Sequence, residues 1–503
     1  MKKLLMTLII AIMSVALVAC NSNEEVKNNE TEAKETFTYA IQSDTGNTLN
    51  YFTTDTREGM SFISMINKPL FTLAADGSFN FYSAESFETE DGITYTAKLK
   101  EDTKWSDGQA LTTDDVIFTF DTYVAQDTTG AFEGVTYKKI DDRTVEFVLP
   151  SAIASFPETV SSVNLLPKHV FEGKDSLDMN MTEDTIVGNG PYMFDEYVSG
   201  QYIKAIKNPN YINGEATIDT IIYRIITDNS TAKMALQNGE VDAWVTTASN
   251  LDGLDDFKIT PYSEGRVAYV RLNRVSDDMQ DANYRKGILK ALNREEIMTA
   301  AYSSLDYAAI SYSFLPATNG FYTDDVEKYE QNIEEAKQLV AGGPTELTIA
   351  YIGPDPAQTA QAQVIQAQLK EIGISVELVG LEQAAYVKTA YDNTDKTYDM
   401  YLGGYIMTVD PDGYKGMFGT GQMINYANDK LDALFAAGMV ETDAEKRKAI
   451  YTEAQQVVAD EALFYPFGTN LRIIVTNPAL QGIEEAVLAP IYTFEDVSKL
   501  YFK

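Results

Sequence analysis

A single cysteine, Cys20, and a single histidine, His169, are all that the 503 residues carry of either type. One cysteine rules out a disulfide framework. The pair leaves nothing for a Cys/His metal cluster, and His169 alone would have to serve any Ser-His-Asp or Cys-His site. That histidine lies in Leu165-Leu166-Pro167-Lys168-His169-Val170, the setting of a packed or surface side chain. No GxSxG, HExxH or P-loop pattern occurs, so no catalytic residue and no metal or cofactor is expected. Positive charge is also scarce. Lys and Arg number 39 against 75 Asp and Glu, a net charge of −36. Such a field repels phosphate backbones and argues against nucleic acid and against a polybasic membrane contact. Tryptophan is limited to Trp105 and Trp244, a thin supply for stacking on sugars.

What is present is a chain long enough for about three domains. Hydrophobic residues make up 45%, which is ample for globular packing. The 31 Tyr outnumber the 23 Phe. Tyrosine suits surfaces that are both apolar and hydrogen-bonding, as in a binding cleft.

The amino terminus reads as a targeting signal over residues 1–19. Lys2 and Lys3 precede an apolar run, Leu4–Val18, too short to span a membrane comfortably. It ends Leu17-Val18-Ala19-Cys20, similar to a bacterial lipobox, in which the cysteine carries the lipid. Residues 20–36 are polar and read as a flexible tether. Together they predict a lipid-anchored protein at the extracellular face of the cell membrane.

Beyond the tether, Phe37–Ile41 reads as a strand and Gly59–Lys68 as a helix stopped by Pro69. Residues 75–187 are β-rich. Within them Thr112 with Asp115 predicts a helix start. Two βαβ patterns follow. The first runs through strand Ile218–Thr227, helix Ser230–Asn238 and strand Glu240–Val245. The second runs through strand Glu346–Ile352, helix Ala357–Ile372 and strand Ile374–Val379. Helical sequence is also read over Asn283–Tyr302, with a cap at Asn293, over Val326–Val340, and from a Thr442 cap to Asp460. Two α/β lobes are expected, with ligands at strand ends or between domains.

The stretch Tyr398–Phe418 concentrates the candidates. Tyr398–Val409 reads as a buried strand interrupted by Gly403 and Gly404, then ended by Asp410-Pro411-Asp412-Gly413. Glycine within a strand marks close approach of another backbone. A bare backbone patch beside Tyr401 and Tyr405 predicts a wall that pairs main chain to main chain with an extended ligand. The alternative from these residues alone is a core strand ending in a turn.

Several segments together resemble the extracellular solute-binding proteins of ABC importers for peptides or nickel. They are Lys104–Val116 (KWSDGQALTTDDV), Leu166–His169, Gly188–Tyr192 with Asn208–Tyr211, Leu236–Asp242, Tyr284–Ile297, Leu369–Leu378 and Gly404–Phe418. The resemblance implies an α/β, two-lobed, type II periplasmic-binding-protein clamp, with an extra β-rich domain inserted in the first lobe. It places lobe 1 at 37–74, 188–265 and 476–503, the insertion at 75–187, and lobe 2 at 266–475. It implies no catalysis. It implies capture of extended oligopeptides by a monomer that delivers them to permease and ATPase subunits. Ligand-pairing backbone would be Gly404-Tyr405-Ile406, opposite a strand near Thr56-Arg57-Glu58. Short-peptide members carry an Asp four residues before the turn proline. Here that place holds Met407, so the anchor for a peptide amino group is missing or supplied elsewhere, which favours longer peptides. Asp410 is carried as a ligand-contact candidate or a structural cap. An oligosaccharide, a nickel chelate or a signalling peptide stands as an alternative ligand. A glycosidase using Asp410 and Asp412 is the reading from another class.

Overall fold

The computed structural model describes residues 34–503, apart from 47–48, 75–76, 128–130, 177–178, 180–186, 408, 425, 487 and 490–491. The signal segment and Cys20 lie outside the described residues. The chain enters on β1 (Thr36–Ile41), then helix α1 (Arg57–Ile66). Thr56 caps α1 by accepting the Gly59 N–H, and the helix buries Phe62, Ile63, Met65 and Ile66.

An inserted domain follows. It holds the hairpin β2 (Phe71–Leu73) and β3 (Phe79–Phe81), then β4 (Ala84–Thr89), β5 (Thr94–Leu99), helix α2 (Thr113–Gln126), β6 (Thr136–Lys139) and β7 (Thr144–Val148). Strands pair antiparallel in the order β4-β5-β7-β6. Thr112 and Asp115 form the expected capping box. Phe87, Phe120, Phe147 and Phe156 meet ring to ring in the domain's core. That core also takes Leu70 and Phe71, so the insertion begins slightly ahead of residue 75. Two short helices, α3 (Phe156–Ser161) and α4 (Lys168–Phe171), close it.

The first lobe resumes with β8 (Tyr192–Val198), β9 (Tyr202–Lys207), β10 (Thr220–Ile225), helix α5 (Asn229–Gln237), β11 (Ala243–Thr246) and β12 (Lys258–Ser263). β1 runs parallel to both β10 and β11, which makes β10-α5-β11 the expected crossover unit. The second lobe contains β13 (Val267–Leu272), α6 (Ala282–Lys290), α7 (Arg294–Tyr302), β14 (Ala308–Ile310) and α8 (Ile333–Leu339). It continues through β15 (Glu346–Ile352), α9 (Pro356–Glu371), β16 (Ser375–Leu381), α10 (Gln383–Ala390) and β17 (Met400–Tyr405). β15 pairs in parallel with β16 and β17.

Strand β18 (Phe464–Thr476) joins the two lobes. Its first half pairs with β13, through Phe464–Gly468, and its second half pairs with β11 and β12, through Leu471–Thr476. The lobes are therefore linked by two crossings, residues 264–266 and the middle of β18. The second crossing falls near 468–471, not at 475, because a single long strand serves both sheets. Two helix starts also differ from expectation. α8 begins only at Ile333, capped by Asn332, since Tyr329 adopts a φ of +48°, outside the helical region. The helix Ala444–Asp460 is capped by Asp443, whose carboxylate takes the Lys446 N–H, one residue past Thr442.

Candidate functional site

β17 carries the candidate residues because its two edges differ. One edge pairs with β13 along its whole length, Met400 to Tyr405. The other pairs with β15 only at Met400 and Tyr401. The Asn273 N–H donates to the Asp399 carbonyl at 2.7 Å, which sets the alternation. Odd-numbered residues of β17 direct their backbone groups to β13, and even-numbered residues direct theirs away. The Gly404 N–H and C=O thus point to an edge with no strand partner among the described residues. Gly404 is half-buried, and Ile406 beyond it is 42% exposed.

The faces of the strand are not bare, which corrects the expectation of an open glycine patch. A Cβ on Gly403 would lie 2.7 Å from the Tyr386 hydroxyl and 2.9 Å from that of Tyr269. A Cβ on Gly404 would lie 2.4 Å from Cζ of Arg266. The glycines admit side chains over the strand, and only its edge is left to a ligand. Tyr401 is fully buried beneath the Arg271 guanidinium, 4.1 Å from the ring centre. Tyr405 is buried and donates its hydroxyl to the Phe314 carbonyl. Neither ring is a cleft residue. Met407 packs half-buried against the second lobe's core.

The first lobe presents Thr56, Arg57 and Glu58, and here the expectation of a strand is wrong. Thr56 is a helix cap and the other two open α1, because the Thr hydroxyl satisfies an otherwise orphan N–H. Arg57 pairs with Glu264 at 2.6 Å, and Arg472 of β18 pairs with the same carboxylate oxygen at 3.0 Å. Glu58 accepts the Ser43 hydroxyl at 2.5 Å. Glu264 belongs to the crossing 264–266, and Arg266 of that crossing lies over Gly404. Arg57 from one lobe and Gly404 from the other therefore converge on the same hinge.

Asp410 sits at the far end of the segment. Its carboxylate accepts both Arg447 Nη atoms, at 2.6 and 2.7 Å, and also caps the turn by taking the Asp412 N–H at 2.9 Å. The structure commits this side chain to the second lobe's own architecture. The Val409 and Asp410 N–H groups donate to Glu158 of α3 at 2.7 and 2.8 Å, and the Ala154 N–H donates to the Met439 carbonyl at 2.8 Å. The inserted domain thus touches the second lobe away from the hinge. Burial, with the Asp410 charge beside it, pushes the Glu158 carboxyl up to about 7. Asp412 is shifted upward by the same two causes. His169 is a surface residue, its Nε2 2.8 Å from Asp107 beside Trp105.

Residues 404–407 and Val409 lie between the hinge and the Glu158 contact. Val409 is 41% exposed, like Ile406. Sequence reasoning placed this segment and passed over Glu158, Glu264, Arg266, Arg447 and Arg472. The one local signal was Glu264-Gly265-Arg266, a charged glycine turn between two strand-like runs.

Comparison with known proteins bears on the family and the overall fold. The sequence profile of the bacterial extracellular solute-binding proteins, family 5 Middle, covers residues 82–425. The oligopeptide-binding protein AppA of Bacillus subtilis is 27% identical over 424 residues, spanning 76% of this chain and 77% of that one. Heme-binding protein A of Haemophilus influenzae is 25% identical over 542 aligned positions, spanning 95% and 96%. Among solved structures, the ABC transporter substrate binding protein CtaP of Listeria monocytogenes superposes with a TM-score of 0.86 at 32% identity, covering 94% of this chain and 100% of that one. A putative peptide binding protein AppA of Clostridium difficile gives 0.85 at 31%, covering 93% and 100%.

Proposed function

This chain belongs to family 5 of the bacterial extracellular solute-binding proteins, and from that premise we propose that it captures extended oligopeptides between its lobes and delivers them to the permease and ATPase of an ABC importer. The observation that carries the reading is the unpaired edge of β17 at Gly404. Its N–H and C=O offer a strand-like ligand main-chain hydrogen bonds without demanding any side chain. A half-buried methionine at 407, where short-peptide members place an Asp, favours peptides held along their length over peptides held by the amino end. Relatives named for peptide binding support the same ligand class.

The Leu17-Val18-Ala19-Cys20 motif supports a lipid anchor on Cys20, with residues 20–36 tethering a monomeric clamp to the outer face of the cell membrane. Native mass spectrometry of residues 21–503, purified without refolding, tests the ligand class. Co-purifying masses that fragment as a mixture of peptides are the expected result. A single discrete non-peptide mass, such as haem, a sugar or a metal chelate, overturns it.

A further inference from the structure

Arginine is used sparingly in this chain, and most buried or half-buried guanidinium groups bond a carboxylate or backbone carbonyls; buried Arg271 bonds the Ala390 carbonyl and leaves its Nε without a partner among the described residues. Arg57 and Arg472 share Glu264, Arg447 holds Asp410, and Arg143 bridges Glu85 and Glu101. Arg285 and Arg294 bond backbone carbonyls. Arg266 differs. It is half-buried, and no carboxylate pairs with it among the described residues. Its polar neighbour is the Tyr302 hydroxyl.

Its place is specific. Arg266 ends the crossing between the lobes, immediately before β13. Its guanidinium covers the face of Gly404, with Cζ and both Nη atoms within 2.8 Å of where a Cβ would stand. Gly404 has room for this because it is glycine. The same residue turns its N–H and C=O to the unpaired edge. A ligand strand docking on that edge would pass beside a guanidinium lacking a charge partner. A cation there also opposes the field of a chain with net charge −36, which otherwise disfavours anionic ligands. A planar five-donor fork suits a carboxylate, in one or two parallel hydrogen bonds.

We propose that Arg266 is the specificity residue of the cleft and pairs with a carboxylate of the bound peptide, either its C-terminal group or an acidic side chain. This rests on the peptide reading above. The docked main chain supplies affinity at Gly404, and Arg266 selects ligands that bring a negative charge to the hinge.

The test titrates wild-type protein and the R266Q and R266K variants, by calorimetry, with hexaalanine as free acid and as C-terminal amide. Amides carrying one Glu or one Gln at each position in turn form the other arm. R266Q is expected to weaken a carboxylate-bearing peptide about tenfold or more while leaving its neutral counterpart unchanged. R266K keeps the charge without the fork and should fall between. Selective loss of the free acid identifies the terminal carboxylate, and selective loss of the Glu series identifies a side chain. Equal loss across all peptides, or no loss, overturns the assignment. The wild-type protein serves as the fold control: stronger binding of free acid than amide, or of a Glu peptide than its Gln counterpart, collapsing with added salt, is required whatever the variants do. Wild-type protein that binds none of these peptides counts against the peptide reading itself, a different result from loss of selectivity in R266Q.

Discussion

Glu158 of the inserted domain holds Asp410 of the second lobe by its main chain, taking the Asp410 N–H at 2.8 Å with one oxygen and the Val409 N–H at 2.7 Å with the other. The contact joins the inserted domain to the second lobe away from the hinge. Asp410 and Arg447 face the Glu158 carboxyl from the second lobe, and burial is the largest influence on it. Burial and the neighbouring Asp410 charge push it up from the ordinary 4.5 to about 7. A carboxyl that binds its proton more tightly when docked adds stability below its undocked value. That stability is lost as pH rises through the docked value. The contact should therefore be strongest below 4.5 and weaken as pH climbs to about 7. In melting experiments run between about pH 4 and about pH 8, wild-type protein should lose stability relative to E158Q, which keeps an acceptor but no titrating charge. A difference that stays flat with pH would sink this account.

Arg447 and Asp410 form the most deeply buried ion pair of the segment, with side chains 7% and 12% exposed. Removing one partner leaves the other charged and desolvated. R447M should cost about 3–5 kcal/mol of stability, seen in denaturant unfolding. The doubly substituted R447M/D410L chain should recover part of the loss, because burial of two apolar groups replaces burial of one unpaired charge. Failure of the double variant to recover would show that Asp410's cap on the turn outweighs the pair.

Three glycines rank by what their missing side chains would strike. At Gly404 the obstacle is the end of a flexible arginine, 2.4 Å away, which can swing aside. At Gly403 it is the hydroxyl tips of Tyr269 and Tyr386. At Gly468, where β18 passes between lobes, it is the Ala309 carbonyl at 2.2 Å, part of the β14 backbone. Overpacking costs about 1–3 kcal/mol where neighbours can adjust. G404A should lie at the bottom of that range, G403A higher, and G468A highest. Thermal unfolding of the three variants checks the order, and G468A melting like wild type would refute it.

The same glycines show what a sequence can and cannot disclose. β15 is placed to the residue, Glu346–Ile352, because alternation and flanking glycines are local signals. Gly403 and Gly404 stand out in a strand for the same reason. What covers them does not, since Tyr269, Tyr386 and Arg266 come from other elements and meet β17 only after the sheet forms. Thr56-Arg57-Glu58 reads as extended chain in the sequence although Thr56, three residues ahead of Gly59, caps a helix. Glu158 carries no local signal at all. Its role exists only where the inserted domain meets the turn at Asp410.

The exposed edge of β17 makes a prediction about the ligand alone. A peptide added as a strand points alternate backbone groups at its partner and the others away. Methylating a ligand amide that donates to the Gly404 carbonyl removes that bond and adds a clash. Methylating its neighbour in the chain leaves the bond in place. A lost hydrogen bond with its acceptor left desolvated costs about 1–3 kcal/mol, roughly fivefold to a hundredfold in affinity. An N-methyl scan of a bound peptide should thus alternate, with every second position tolerant around the hinge. The alternation should survive in R266Q, because Arg266 acts on a carboxylate and not on the main chain. A scan with no period of two would mean that the cleft holds its ligand by side chains, and that the open edge at Gly404 is only a feature of the second lobe's sheet.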